Sequence, residues 1–382
     1  MGFHSIPEVI DDFRLERYPG AATSSLRLFG KTLYYGLRPV LHRSIRERIQ
    51  RLQLTGWRDH SFPSWPVDLS VENVYERLLA FVLKATGIER IPFIWFWPDG
   101  KESCVVMTHD VESAAGRDCC DDLMDIDDSY EIKASFQVVP QGKYKVPPAF
   151  LSAIRDRGFE IAVQDLNHDG RLYDDEREFA RRARLINQYV KDYGATGFRS
   201  AVLYRKPEWY GAFDFSYDMS IPNTARLDPQ RGGCCTVLPY FIGNILEIPT
   251  TMTQDYMLYQ LIGERSIGLW KQQVGLIASK NGLMNFIVHP DYVIWGGVRD
   301  LYTKLLAYLT ELRATKKIWM ALPSEVDTWW RARSELKLVY IENEWRVKGY
   351  GAERASVAYA RLADGKLRYE VHDHASGHRV LP

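Results

Sequence analysis

Val105-Val106-Met107-Thr108-His109-Asp110-Val111-Glu112 is an unbroken apolar run that closes on three groups able to bind a metal or move protons. The apolar part has the pattern of a strand buried on both faces. Charges are costly in a core, so His109, Asp110 and Glu112 belong where such a strand emerges from it. In a parallel α/β architecture that place is the mouth, where active sites are built. The plain alternative is a strand end whose acids are merely solvated, with Ser113 as the N-cap of a following helix.

Downstream of this stretch, short apolar runs alternate with helical patterns. The runs predict strands over Cys104–Thr108, Ala134–Val138, Glu160–Val163, Thr196–Phe198, Phe215–Tyr217, Ile245–Ile248, Asn285–Val288 and Ile318–Ala321. Helical spacing covers Pro148–Arg157, Asp175–Tyr193, Ile267–Asn281 and Val298–Ala314. Strands separated by helices pair in parallel, and about seven or eight of them give a distorted (β/α) barrel. The barrel is expected over residues 101–330.

The flanks read differently. Residues 1–100 form a helical and extended N-terminal extension. From Leu26 to Arg51 it carries seven Lys and Arg against the single acid Glu47, with an apolar stripe at spacings of three and four. Such a helix packs on its own domain or rests on an anionic membrane surface. Residues 331–382 hold short aromatic or alternating runs with Asp364-Gly365 as a hairpin turn, which predicts a small antiparallel β appendage packed near Trp329 and Trp330.

The composition narrows the function classes. Lys+Arg and Asp+Glu balance at 49 each over 382 residues, so no global field favours nucleic acid. The five cysteines lack metal-type spacing and give no disulfide framework, which fits a reducing compartment. No apolar run approaches the roughly 18 residues of a membrane span, and the first twenty residues lack the apolar stretch of a secretion signal. A cytoplasmic setting is expected, with peripheral contact at the inner membrane face through residues 26–51. The oligomeric state is not readable.

Polar groups recur at the strand ends: His109, Asp110 and Glu112 after the first, Gln164 and His168 after the third, Arg199 after the fourth, Asp218 after the fifth and His289 after the seventh. One such residue is usually structural; five ends at regular barrel positions are harder to dismiss. With these residues, 104–320 resembles the NodB-homology polysaccharide deacetylases, carbohydrate esterases on a distorted (β/α) barrel. Thr108-His109-Asp110-Val111-Glu112 is similar to their Asp-x-acid motif, Gly197-Phe198-Arg199-Ser200 to the motif whose Arg braces the catalytic Asp, and Phe286-Ile287-Val288-His289 to the closing strand and His. The resemblance implies Asp110 as general base, His289 as general acid, Arg199 as brace, and Glu112, Gln164 and His168 as metal ligands.

Two positions depart from the family. Gln164 stands where a metal-binding His is usual, which implies a zinc-like ion weakly held or absent. Ala201-Val202 replaces the usual Pro-aromatic pair. The segment from Tyr217 to Asn223 and on to Glu247 reads as a rim, giving Asp218, Asn223 and Glu247 as substrate-binding candidates. The implied function is hydrolysis of the acetyl group from an N-acetylated sugar in a surface-polysaccharide or glycolipid precursor. The alternatives are a degenerate barrel that binds saccharide without hydrolysis, and a metal-independent hydrolase of non-peptide C–N bonds.

Overall fold

Val105, Val106 and Met107 are stiff or bulky apolar residues that suit a pleat packed on both sides. They lie at the centre of a strand whose nine residues are all buried. The computed structural model describes residues 5–19, 48, 61–293, 297–315, 317–373 and 377–380. Apart from Arg48, the basic 26–51 segment lies outside the described residues.

In chain order, helices α1 (Ile6–Arg14) and α2 (Ser70–Thr86) and strand β1 (Arg90–Ile94) precede the central strand β2 (Ser103–Val111). Then follow α3 (Ala114–Asp118), α4 (Cys120–Ser129), β3 (Ala134–Val138), α5 (Pro148–Asp156), β4 (Glu160–Gln164), α6 (Glu176–Asp192), β5 (Gly197–Arg199) and β6 (Tyr217–Asp218). The hairpin β7 (Tyr240–Ile242) and β8 (Ile245–Glu247) leads to α7 (Gly268–Ala278), β9 (Leu283–Val288), α8 (Pro290–Val293), α9 (Gly297–Thr315), β10 (Ile318–Met320) and α10 (Pro323–Glu335).

Among the described residues, β2 to β10 form one nine-stranded sheet in the order β10-β2-β3-β4-β5-β6-β8-β7, with β9 also on β2. All pairings are parallel except β7 with β8. Strand β2 is shared by β9 along Cys104–His109, by β10 along Ser103–Val105 and by β3 along Met107–Val111. The sheet curls into a half-open, distorted (β/α) barrel, as expected. Two strands are shifted from their predicted spans: Thr196–Phe198 is observed as β5, Gly197–Arg199, and Phe215–Tyr217 as β6, Tyr217–Asp218. Phe215 leaves the sheet to stack on Phe198 at 4.8 Å between ring centroids.

The end segments meet rather than standing apart. The chain after α10 forms the hairpin β11 (Lys337–Ile341) and β12 (Glu344–Lys348), then β13 (Val357–Ala363), β14 (Lys366–Asp373) and β15 (Gly377–Val380). Strand β1, expected with the N-terminal extension, pairs antiparallel with β13. Asp364 and Gly365 turn β13 into β14 with φ +50° and +74°, the left-handed pair that a two-residue hairpin needs. Helix α10 ties this sheet to the barrel: Trp329 Nε1 donates to the Phe96 carbonyl at 2.8 Å, and Arg333 donates to the carbonyls of Ile94 and Trp95.

The connector at 61–69 lies along the barrel mouth, gripped by three polar side chains. Asn223 accepts from the Asp68 amide and donates to the Asp68 carbonyl, both at 2.7 Å. Arg226 donates to the Pro63 carbonyl and Gln273 to that of Pro66.

Candidate active site

Alternation along β2 sorts its polar residues onto opposite faces. Thr108 and Asp110 point into the barrel, where Arg199 from the end of β5 donates to Thr108 Oγ1 at 2.8 Å and ion-pairs with Asp110 Oδ1. Arg199 and Asp110 are both buried, and Arg199 also donates to the Met219 carbonyl. His109, between them in sequence, points outward into the helix layer. Its Nε2 lies 2.8 Å from Asp127 of α4, whose other oxygen accepts from Tyr302 of α9 at 2.6 Å. His109 Nδ1 lies 3.3 Å from the Val288 carbonyl, so this residue ties β2 to β9 and does not enter the barrel.

The inner cluster gathers around Glu112. Its Oε1 is 2.7 Å from His168 Nε2, 3.5 Å from His289 Nε2, and accepts from Gln164 Nε2 at 3.3 Å. Gln164 donates to Asp110 Oδ2 as well, at 3.0 Å, so one amide NH2 bridges the two carboxylates. The opposite atom, Gln164 Oε1, is buried without a partner. Glu112 is the most open member, with a side chain 28 % exposed.

His289 follows β9 and is held from behind. Its Nδ1 donates to Asp255 Oδ1 at 2.6 Å, and its backbone amide donates to Asp255 Oδ2 at 2.8 Å. This leaves Nε2 facing Glu112 and the cleft. Sequence reasoning missed Asp255, which precedes the π-helical turn Tyr256–Ile262 and sits outside any periodic pattern. Its neighbours Thr253 and Gln254 gave no strand-end signal.

The electrostatics follow from this packing. Burial pushes the Glu112 carboxyl up, but the charge and hydrogen bond of His168, with those of His289, prevail and hold it well below the usual carboxylate range. Burial disfavours the imidazolium of His168, yet the Glu112 charge beside it raises its pKa. For His289 burial is likewise outweighed, by Asp255 first and Glu112 second, and its pKa lies well above the ordinary imidazole value.

The residues expected to form a catalytic centre thus converge: Asp110, Glu112, Gln164, His168, Arg199 and His289. The expected metal ligands Glu112, Gln164 and His168 lie together, with His168 Nε2 2.7 Å and Gln164 Nε2 3.3 Å from Glu112 Oε1. Among the described residues, the group whose ligand atoms lie within 4.8 Å of one another is Asp110, Glu112 and His289. Gln164 presents its NH2 to the carboxylates, and His168 reaches Glu112.

The three rim candidates lie inside the protein. Asn223 clamps the connector. Asp218 and Glu247 are in register on the neighbouring strands β6 and β8, both fully buried. Asp218 accepts from Tyr210 at 2.8 Å and Ser220 at 2.6 Å, while Glu247 accepts from the Ile221 amide at 2.9 Å. Burial raises both carboxyls above their ordinary values. Small hydroxyls and paired acids in a βα segment look alike on a rim and in a buried network, so the sequence did not separate the two.

No family model and no curated protein matches the sequence. The fold, by contrast, has solved counterparts. A structure from Mycobacterium smegmatis, assigned as a polysaccharide deacetylase, superposes with a TM-score of 0.50 at 19 % identity, covering 64 % of this chain and 96 % of its own. The allantoinase PuuE superposes with the same TM-score at 12 % identity, covering 62 % of this chain and 92 % of its own. The chain has the fold of the NodB-homology deacetylases.

Proposed function

We propose that this protein hydrolyses the acetyl group from an N-acetylated sugar, with Asp110 as base and His289 as acid. The observation that carries the reading is the placement of two differently braced groups in one cleft: Asp110 on Arg199, and His289 on Asp255 with Nε2 turned inward. Amide hydrolysis needs a water stripped of a proton, a stabilised oxyanion and a protonated leaving nitrogen. Asp110 takes the water's proton as the oxygen adds to the carbonyl carbon. Arg199 fixes the carboxylate for that transfer. Gln164 Nε2 supplies a donor beside the developing oxyanion. His289, whose pKa Asp255 and Glu112 raise, gives its Nε2 proton to the nitrogen as the C–N bond breaks. Acetate and a free amine result.

Two carboxylates and an imidazole also suit a divalent ion of the zinc type, and Asp110, Glu112 and His289 would hold it. When bound, it would acidify water and polarise the carbonyl. The same atoms serve the proton transfers, and Arg199 and Gln164 favour that second use by hydrogen-bonding the two carboxylates. That occupation supports a second reading, a metal-independent hydrolase of another non-peptide C–N bond, consistent with a fold shared with an allantoinase. The sugar substrate is placed, as part of the proposal, on a cytoplasmic lipid- or nucleotide-linked precursor, with residues 26–51 as the membrane contact.

The test is acetate release from N-acetylglucosamine oligomers. Asp110→Asn and His289→Ala should each lower kcat by about 10²–10⁴ while still folding, although Asp110→Asn leaves Arg199 buried without its counter-charge and should lower the melting temperature. Full activity in either variant rejects the assignment, and activity on hydantoin-type rings but not on sugars selects the second reading.

A further inference from the structure

Behind Arg199 lies a pair of buried acids that the catalytic reading does not use. Asp218 on β6 and Glu247 on β8 are in register on neighbouring strands, and neither is exposed. Asp218 is also in register with Phe198, one residue before Arg199, so the pair lies on the opposite face of the sheet from the guanidinium.

A count of donors shows what the pair lacks. Asp218 accepts from Tyr210 through Oδ2 and from Ser220 through Oδ1, and Glu247 Oε1 accepts from the Ile221 amide. Among the described residues no donor reaches Glu247 Oε2, which is buried. The two carboxyl groups hydrogen-bond each other, and that contact needs a hydrogen which two carboxylates do not carry.

The surroundings do not supply a balancing charge. The titratable groups facing the pair are Tyr210 from the turn after β5, Tyr173 from the stretch before α6, Tyr240 on β7, Cys234 and Arg205. Burial raises the pKa of the three phenols and the thiol, which keeps them neutral. Arg205 is the cation of this set, and its guanidinium is taken up by Glu16 and by the Leu203 and Arg231 carbonyls. Two like charges in contact and out of water do not both ionise readily, so a proton stays with the pair as a unit.

The same strand end seats the brace of Asp110. Ser220 Oγ donates to Asp218 and accepts from the Ser200 amide at 2.8 Å, while the Met219 carbonyl accepts from Arg199 Nε at 3.2 Å.

We propose that Asp218 and Glu247 share one proton in the folded protein, forming a pH-sensitive latch between β6 and β8 behind Arg199. The latch does not depend on which bond the centre hydrolyses. Its sign follows from linkage. An acid whose pKa is raised by folding keeps its proton in the folded state where the unfolded chain has lost it. The stabilisation is fully present below the ordinary carboxylate range and is lost as pH rises through the folded value. For one proton, the unfolding constant rises about tenfold per pH unit between those limits.

The experiment is urea unfolding of the full chain, wild type beside Glu247→Gln, across about pH 5 to 8. The glutamine keeps an acceptor for the Ile221 amide and brings its own hydrogen for Asp218, so it replaces the shared proton permanently. The ratio of wild-type to variant unfolding constants should grow about tenfold per pH unit. A ratio independent of pH overturns the proposal, because a pair already ionised in the folded state has no proton to lose. Asp218→Asn makes the same replacement from the other strand and serves if Glu247→Gln does not fold. In wild type alone, the infrared band of a protonated carboxyl should be present at neutral pH. Its absence overturns the proposal whatever the variants do.

Discussion

Two histidine–aspartate pairs flank the end of β9, and they differ in what is left over. In the outer pair, His109 and Asp127, both ring nitrogens and both carboxylate oxygens are engaged within the protein: Nε2 with Asp127, Nδ1 with the Val288 carbonyl, and the second Asp127 oxygen with Tyr302. In the inner pair, Asp255 spends one oxygen on the His289 ring and the other on the His289 amide, while His289 Nε2 stays in the cleft 3.5 Å from Glu112. The same two residue types make a closed strut on one side of the sheet and an open acid on the other. Closure, more than residue identity, separates scaffold from chemistry here.

The sharpest way to break this comparison is to delete each imidazole in turn. Removing His109 leaves Asp127 Oδ2 buried without its partner, with Tyr302 still on the other oxygen, so His109→Ala should cost about 1–3 kcal/mol of stability. Removing His289 also takes a partner from the buried Asp255, but the His289 and Tyr256 backbone amides still donate to its two oxygens, so the loss of stability should be smaller and the loss of rate, as stated above, the main effect. Thermal or urea unfolding beside kcat measurements checks both. Equal destabilisation by the two substitutions would erase the distinction between strut and acid.

A smaller effect is expected where an amide stands between two acids. Gln164 Nε2 donates to both Asp110 and Glu112, and an amide oxygen is a weaker zinc ligand than an imidazole nitrogen. After dialysis, wild type should hold well under one equivalent of zinc, and Gln164→His should approach one, with Glu112 and His168 adjacent. A full equivalent on wild type, unchanged in the variant, contradicts the role given to Gln164.

Much of the architecture was legible because buried parallel strands write themselves as apolar runs, and β2, β3, β4 and β9 are such runs. Helix α4 was not, since Cys120–Ser129 carries five aspartates and buries only part of one face. The pairing of β1 with β13 joins residues more than 250 positions apart, a register no local pattern encodes. In the site, strand-end positions located Asp110, Glu112, Gln164, His168, Arg199 and His289. Which face of β2 each residue takes depends on register, so composition alone left His109 and Asp110 alike, and only the family resemblance singled out Asp110. Asp255 and Asn223 each act through a pair of long-range bonds, to His289 and to the connector, and such contacts leave no periodic trace.

The central claim is that the open pair, His289 on Asp255, is the proton donor. Asp255 is the largest influence raising the His289 pKa, against burial that lowers it. A raised pKa keeps the imidazolium present above its ordinary range, and activity is lost as pH rises through the folded value. The decisive measurement is the pH dependence of kcat for acetate release by wild type and Asp255→Asn. In wild type the alkaline limb should lie well above the ordinary imidazole value; in the variant it should move down. An alkaline limb at the same pH in both proteins would contradict the assignment of His289 as the acid.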